Sequence, residues 1–277
     1  MANSISKLKI QRQDELVRFN ECGNLKPLPD RESKSRFSNS SQTQKSEAAT
    51  ARGVLAYLLL AFGFAWVLWV PVWLTGLKSS SPLYDPAFLG GALAPGLAAI
   101  VVRRWITREG FGDAGWQLHL KRKWPYYLIA GLWPFFILLG AVDLAVMLGF
   151  PVRTEAFGSI LPALPGFLVL TPFFWGEEFG WRSYLQLRLF GSRPLLAALA
   201  TGLIWGVWHY PAVLAGYLPN EHGLPGVLLY AWYMIPHSII LGWLRLRSGS
   251  IWVPTLAHLA NNTIGPVVLS ALLISGG

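Results

Sequence analysis

The chain has 277 residues, of which 53% are hydrophobic and 13% charged, and its mean hydropathy is +0.42. This composition excludes an ordinary soluble domain and predicts a polytopic membrane protein. The net charge of +9 would suit a nucleic-acid-binding protein. However, much of the basic charge lies in one polar segment that has almost no aromatic residues to stack on bases, so we expect no nucleic-acid partner.

That polar segment is the beginning of the chain. Residues 1–52 carry ten of the 23 Lys and Arg residues, together with six acids and a tract rich in Ser, Asn and Gln. The segment has no apolar periodicity and too few large apolar side chains to offset the entropy lost on ordering. We therefore predict a disordered cytosolic tail over residues 1–52 and a membrane domain over residues 53–277.

The membrane domain divides into apolar runs of about 20 residues, the length that crosses a bilayer as a helix. The predicted fold is all-α: a polytopic transmembrane helical bundle of about seven spans. Prolines inside several runs do not argue against helices, because neighbouring helices can satisfy the backbone groups that proline leaves free. The predicted spans are 53–76, 86–103, 124–149, 159–181, 194–217, 224–245 and 250–274.

Basic residues between the spans predict how the bundle is oriented. The tail, the loop 103–123 and the regions 182–193 and 245–249 carry ten, six, three and two Lys or Arg residues. The alternate loops, 77–85, 150–158 and 218–223, carry one, one and none. Because loops on the cytosolic side are enriched in Lys and Arg, we predict a multi-pass protein of the plasma membrane with a cytosolic N-terminus and an external C-terminus.

Three charged residues lie at the end of the fourth span, in the stretch 171–185, TPFFWGEEFGWRSYL. Ionisable groups in a span usually face the bundle interior and have a partner or a function. On a helix, Glu178 and Arg182 share one face in the favourable order for an ion pair. Glu177 is rotated by about 100° from Glu178 and has no basic residue four positions away. This pattern predicts a structural Glu178 and a Glu177 free to act as a general base.

Two later spans carry polar residues at helical spacing. Trp205 and His209 are four residues apart in LIWGVWHYP, and His258 and Asn262 are four apart in PTLAHLANN. A histidine and an amide on one helical face present two hydrogen-bond donors in the same direction, which is an arrangement that can stabilise an oxyanion. A base, a histidine and a donor pair are thus expected on three helices.

With these motifs the chain resembles the CPBP family, the CAAX-protease and bacteriocin-processing (Abi) family that includes the type II CAAX prenyl endopeptidases. The family motif EExxxR matches residues 177–182, FxxxH matches residues 205–209, and HxxxN matches residues 258–262. The motifs occur in the family's order, and the resemblance covers residues 155–275. Trp205 replaces the Phe of the second motif, which keeps an aromatic wall and changes its volume.

The resemblance implies an intramembrane endopeptidase that hydrolyses peptide bonds of membrane-associated or lipid-modified (CAAX-type) substrates. It implies that Glu177 activates water with help from His209, and that His258 and Asn262 stabilise the oxyanion. Three further residues are expected to support the site: Glu178, Arg182 and Trp205. With the predicted orientation, the cavity of this site is expected to open toward the cytosol or the inner leaflet.

Three alternatives remain open at this stage. Glu177, His209 and His258 could furnish zinc with a carboxylate and two imidazoles, but no HExxH spacing supports a metal, so we expect no cofactor. The same family fold is associated with bacteriocin immunity, where protection or scaffolding requires no proteolysis. A transporter is disfavoured because the two halves show no inverted repeat. His237, in the sixth span, is interpreted as a packing residue.

Overall fold

The apolar runs of the sequence form helices. In the computed structural model of the chain, residues 31–77, 80–163, 165–216 and 223–272 are described, and all regular structure within these ranges is helical. The predicted all-α class is therefore confirmed. Prolines occur inside several of the helices, including Pro71, Pro134 and Pro236, as the sequence analysis allowed.

Eleven α-helical segments follow one another in the described ranges. They are α1 (Arg31–Thr75), α2 (Tyr84–Ala92), α3 (Ala94–Val101), α4 (Leu120–Met147), α5 (Ile160–Ala163), α6 (Gly166–Gly180), α7 (Gln186–Arg188), α8 (Pro194–Trp208), α9 (Tyr210–Leu214), α10 (Gly223–Ser248) and α11 (Trp252–Leu272). A π-helical turn follows α3 (Val102–Ile106) and another follows α6 (Trp181–Leu185), and a 3-10 turn (Thr154–Ser159) precedes α5.

Each predicted span coincides with one or more of these helices. By length and composition, four segments of the described chain can cross a membrane: Ala49–Thr75, Tyr84–Ile106, Leu120–Met147 and Gly223–Ser248. The shorter apolar helix Pro194–Trp208 matches most of the fifth predicted span. The chain is thus a polytopic transmembrane helical bundle, and its helices fit a count of about seven spans.

The chain divides into two units, Met1–Ala48 and Ala49–Gly277. The boundary lies close to the predicted border between tail and membrane domain. Residues 1–30 lie outside the described residues, and the backbone from Arg31 onward is helical where the sequence predicted a disordered tail. The disorder of the tail stays a prediction.

Glycines allow α3 and α6 to approach each other closely. A Cβ added at Gly96 would lie 2.8 Å from the Cα of Gly176, and one added at Gly180 would lie 2.6 Å from the carbonyl carbon of Pro95. Small residues at helix contacts in membranes permit such backbone proximity. The contact fixes the C-terminal part of α6, which carries Glu177, inside the bundle.

A second close approach joins α8 to α10, which contact each other extensively. A Cβ added at Gly206 would lie 2.7 Å from the Cα of Ala231, and one added at Gly202 would lie 2.9 Å from the Cα of Ile235. Neither position has room for a larger residue. As a result α8 presents Trp205 to the interior of the bundle.

Charged side chains hold the segment 107–119, which connects α3 to α4. Arg103 is buried and donates to Asp113 Oδ1 at 2.6 Å, while Arg188 donates to Asp113 Oδ2 at 3.2 Å. Arg245 on α10 donates to the backbone carbonyl of Asp113 at 2.7 Å. Partial burial by itself would raise the pKa of the Asp113 carboxyl, but the hydrogen bond and charge of Arg103, with the charge of Arg188, lower it below its usual value.

Candidate active site

Glu177 lies in the last turn of α6 and is 5% exposed. Its Oε2 accepts a hydrogen bond from the indole Nε1–H of Trp205 on α8 at 3.0 Å. Arg182, the nearest basic residue of the motif, instead forms its ion pair with the neighbouring Glu178. As the spacing in the sequence predicted, Glu178 forms an ion pair with Arg182 and Glu177 does not.

Glu178 is fully buried between two cationic or potentially cationic partners. Its Oε2 lies 3.3 Å from Arg182 Nε, and its Oε1 accepts a hydrogen bond from His258 Nδ1–H at 2.9 Å. The first contact is the predicted ion pair between residues four apart. The second contact joins residues 80 positions apart in the chain and fixes the orientation of the His258 ring. Glu178 therefore connects the first motif to the third.

Arg182 lies in the π-helical turn that follows α6 and is fully buried. Its guanidinium carbon lies 4.3 Å from the ring centroid of Trp205. A cation over an aromatic face gains about 2 kcal/mol or more when the pair is desolvated. Since a buried charge is tolerated only when it is paired and well surrounded, Glu178 and Trp205 together account for the position of Arg182.

His209 immediately follows α8 and lines the same cavity as Glu177. Its Nδ1–H donates to the carbonyl oxygen of Trp205 at 2.9 Å, a contact within one helical turn. The ring packs edge-on against Trp208, with centroids 4.6 Å apart, and against Tyr230, with centroids 4.8 Å apart. These contacts set the orientation of the imidazole.

Glu177 and His209 line the same cavity, whose volume is about 90 Å³. The other lining residues are apolar: Trp69, Phe88, Leu89, Ala92, Leu170, Phe173, Phe174 and Ala212. A carboxylate and an imidazole thus share a small, mostly apolar chamber. Such a chamber has room for a few water molecules and offers them polar partners.

The cavity extends from Glu177 toward the beginning of α6, because its lining residues on that helix, at 170, 173 and 174, all precede Glu177. Arg182 lies on the opposite side of Glu177 along the helix. The sequence predicted a cavity that opens toward the cytosol or the inner leaflet, and the direction of opening stays a prediction.

Aromatic and imidazole rings surround Trp205. Its ring centroid lies 5.1 Å from that of His258 and 5.5 Å from that of His237, and the two histidine rings are 5.5 Å apart. His237 is buried as expected for a packing residue, and its Nε2 makes no hydrogen bond with the described residues. Its Nδ1 lies 3.4 Å from the hydroxyl of Tyr233.

Asn262 is the predicted site residue whose contacts are most remote from Glu177 and Trp205. Its Oδ1 accepts a hydrogen bond from Asn261 Nδ2 at 3.2 Å, and Asn261 also donates to the Tyr233 hydroxyl at 2.7 Å. Asn262 is not one of the residues that line the cavity. The structure therefore brings Glu177, His209 and Trp205 together, connects His258 through Glu178, and leaves Asn262 outside the cavity wall.

The zinc alternative requires Glu177, His209 and His258 to converge. In the described part of the chain, no group of three or more His, Cys, Asp or Glu side chains is arranged to hold a metal ion. One oxygen of Glu177 already accepts from an indole, and His258 Nδ1 is directed at Glu178. The three residues in this arrangement do not fit a zinc site, while the expected absence of a cofactor stays a prediction.

Two contacts of the site were not predicted. The hydrogen bond from Trp205 to Glu177 has a signal in the sequence, because a buried indole N–H usually requires an acceptor and the carboxylates were the available polar groups. The hydrogen bond between His258 and Glu178 has no such signal, since spacing within one helix cannot show which residues of separate helices meet.

The curated proteins contain no match to the chain. Residues 157–264, which include the three motifs, match the family model described as Type II CAAX prenyl endopeptidase Rce1-like, and this match confirms the resemblance to the CPBP family that the motifs predicted.

Proposed function

We propose that the chain is an intramembrane endopeptidase that hydrolyses peptide bonds of membrane-associated or lipid-modified substrates of the CAAX type. The observation that carries the proposal is the shared cavity of Glu177 and His209. A carboxylate and an imidazole on the wall of one cavity are the groups that general acid–base hydrolysis needs. The match to the Rce1-like family model supports the same class of reaction.

In the proposed mechanism, Glu177 accepts a proton from a water molecule in the cavity while that water attacks the scissile carbonyl carbon. His209, on the same cavity wall, holds the water by a hydrogen bond. The carbon–nitrogen bond of the resulting tetrahedral intermediate then breaks, and the proton held by Glu177 passes to the leaving amine. The products are a carboxylate and an amine, and water is the only co-reactant.

The negative oxygen of the intermediate requires hydrogen-bond donors. We assign this role to His258 and Asn262, as the family resemblance implies. The contact with Glu178 fixes the ring of His258 from its Nδ1 side. Because a neutral imidazole carries one N–H only, donation from Nε2 to the oxyanion requires the imidazolium form, which the Glu178 carboxylate would stabilise. Oδ1 of Asn262 accepts from Asn261, so its Nδ2–H group is the donor that we assign to this role.

The proposal is tested by Glu177→Gln, which keeps the size and hydrogen-bonding capacity of the side chain and removes the base. We expect cleavage of a library of membrane-associated peptides to fall by a factor of about 10² to 10⁴, the usual contribution of a general base. Glu155→Gln is the matched control, because Glu155 is exposed and lies in the turn before α5. Cleavage should be unchanged in that variant.

A zinc chelator separates the two mechanisms in the same assay. Wild-type cleavage that survives chelation supports the metal-free mechanism, and cleavage that stops would replace it with a metal-dependent one. If the wild type cleaves no peptide, while cells carrying Glu177→Gln keep a bacteriocin-protection phenotype, the immunity or scaffold function is the correct one.

We further propose a plasma-membrane location with the N-terminus in the cytosol and the C-terminus outside. The support is the unequal Lys and Arg content of alternate connecting segments. Reactive tags at residues 1 and 277 test this orientation in intact cells. Labelling of the first tag by an impermeant reagent, or failure to label the second, would contradict it.

A further inference from the structure

Trp205 contacts three polar groups of the site at once. Its indole N–H donates to Glu177, its ring lies under the guanidinium of Arg182, and its carbonyl oxygen accepts from His209. The side chain is fully buried. The sequence predicted only an aromatic side chain that lines the site at this position. That role requires none of these polar contacts.

The indole N–H of Trp205 donates to a side-chain carboxylate. Five other indole hydrogen bonds of the described residues end on backbone carbonyls. They are donated by Trp66, Trp69, Trp133, Trp208 and Trp252. A backbone carbonyl is fixed by the helix, whereas a glutamate side chain can rotate about several bonds. A donor to Glu177 therefore restricts a group that would otherwise be mobile.

The ring of Trp205 is itself held in place. The stacked guanidinium of Arg182 lies 4.3 Å from the ring centroid, and Arg182 is in turn held by Glu178 at 3.3 Å. Gly206 brings the backbone of α8 close to α10 beside it, so the helix has little freedom to shift. The direction of the N–H bond is consequently set by rigid neighbours.

We propose that Trp205 is a positioning residue for the base: its indole N–H holds Oε2 of Glu177 and leaves the other carboxylate oxygen directed at the cavity water. This inference rests on the proposed function. A phenylalanine, the residue of the family motif at this position, fills similar space without a donor. The positioning contact is therefore a property of this chain.

The kinetic test uses two replacements of Trp205. Trp205→Phe removes the donor, and incorporation of 3-benzothienylalanine removes it with almost no change in volume, because sulfur takes the place of the N–H group. We expect kcat to fall about 10- to 100-fold in both, the range that corresponds to losing a hydrogen bond to a charged group. KM should stay within about twofold, because in this role the indole N–H contacts Glu177 and not the substrate.

Trp66→Phe is the matched control. The indole of Trp66 donates to the carbonyl of Trp208 at 2.9 Å, so this variant loses an indole hydrogen bond of similar length that does not involve Glu177. Its kcat should remain close to that of the wild type. In the Glu177→Gln background, Trp205→Phe should cause no further loss, because a residue that acts through Glu177 has nothing left to position.

A spectroscopic test does not depend on hydrolysis. In ¹⁵N-labelled protein, the indole N–H resonance of Trp205 is identified by its absence in Trp205→Phe. We expect it at low field in the wild type and shifted in Glu177→Gln. An unmoved resonance would show that the contact is absent and would overturn the inference, whether or not a substrate is known.

The outcomes separate this inference from the proposed function. Loss of cleavage in Glu177→Gln with wild-type kcat in both Trp205 variants overturns the positioning role and leaves the peptidase intact. An equal fall of kcat in Trp66→Phe also overturns the positioning role, because the fall would then follow from the loss of an indole hydrogen bond that does not involve Glu177. A shifted indole resonance without any cleavage supports the contact and contradicts the peptidase.

Discussion

The two adjacent glutamates of the first motif differ in what surrounds them. Glu178 lies between Arg182 and His258, whereas Glu177 accepts a hydrogen bond from the neutral indole of Trp205 and lines the cavity. Side chains one residue apart on a helix point in directions about 100° apart. One helix turn can therefore supply a carboxylate with a structural role and a carboxylate that acts as a base. Substitutions at the two positions should have different consequences.

Glu178→Gln should destabilise the protein by about 3 to 5 kcal/mol, because it leaves the buried guanidinium of Arg182 without a counter-charge. Thermal and denaturant unfolding in detergent measure the loss. Glu177→Gln is the comparison, and its unfolding should stay near that of the wild type, since no cation is paired with Glu177. Adding Arg182→Met to Glu178→Gln should restore much of the stability. A Glu178→Gln variant as stable as the wild type would refute the structural role.

Sequence spacing predicted only part of this residue-level arrangement. The ion pair of Glu178 and Arg182 follows from a separation of four residues on one helix, so it could be predicted locally. The hydrogen bonds that Glu177 accepts from Trp205 and Glu178 accepts from His258 join residues 28 and 80 positions apart. They depend on how the helices pack. The packing is decided by side-chain and backbone fit over the whole bundle.

At the scale of elements, the contact between α3 and α6 determines where the carboxylates lie. The glycines at 96, 176 and 180 were visible in the sequence, but the partner of each was not, because small residues are common in many membrane helices. The structure shows that Gly180 faces Pro95 across this contact. The fit leaves no space for an additional methyl group.

Gly180→Ala should therefore destabilise the protein by about 1 to 3 kcal/mol, the usual cost of overpacking. The added Cβ would lie 2.5 Å from the Cβ of Pro95, so one helix must shift. Unfolding temperature and cleavage rate should fall together. Gly131→Ala on α4 is the matched control, because no atom lies within 4 Å of a Cβ at that position. Equal stability of the two variants would contradict the tight contact.

The segment 107–119 provides a pH-dependent contribution to stability. The pKa of Asp113 is lower in the folded protein, so its charged form stabilises the fold above the unfolded pKa of about 3.9. This contribution is lost as the pH falls through the folded pKa. It is on the order of 1 kcal/mol, because 49% of the Asp113 side chain is exposed.

We expect Asp113→Asn to be less stable than the wild type at pH 7. The difference should shrink as the pH falls from about 5 to below about 3, because the wild type then loses the same charge. Unfolding midpoints measured over this range check the expectation. A difference that is constant across the range would assign the effect of the substitution to shape instead of charge.

For the whole molecule, hydropathy predicted the positions of the apolar helices, because a bilayer requires about 20 apolar residues per span. It could not show that the fourth span continues into a π-helical turn, nor that α8 ends at Trp208 and a separate helix begins at Tyr210. These interruptions depend on tertiary contacts. They lie at Arg182 and His209, the positions where the motifs require particular side-chain directions.

The volume of the cavity also constrains turnover. About 90 Å³ accommodates a few water molecules but no segment of peptide chain. We therefore expect the elements that line the cavity, α2 and α6 among them, to move apart when a substrate reaches Glu177. If so, the apparent substrate affinity would be reduced by the fraction of molecules that are open at equilibrium, and the rate of opening would set an upper limit on catalysis.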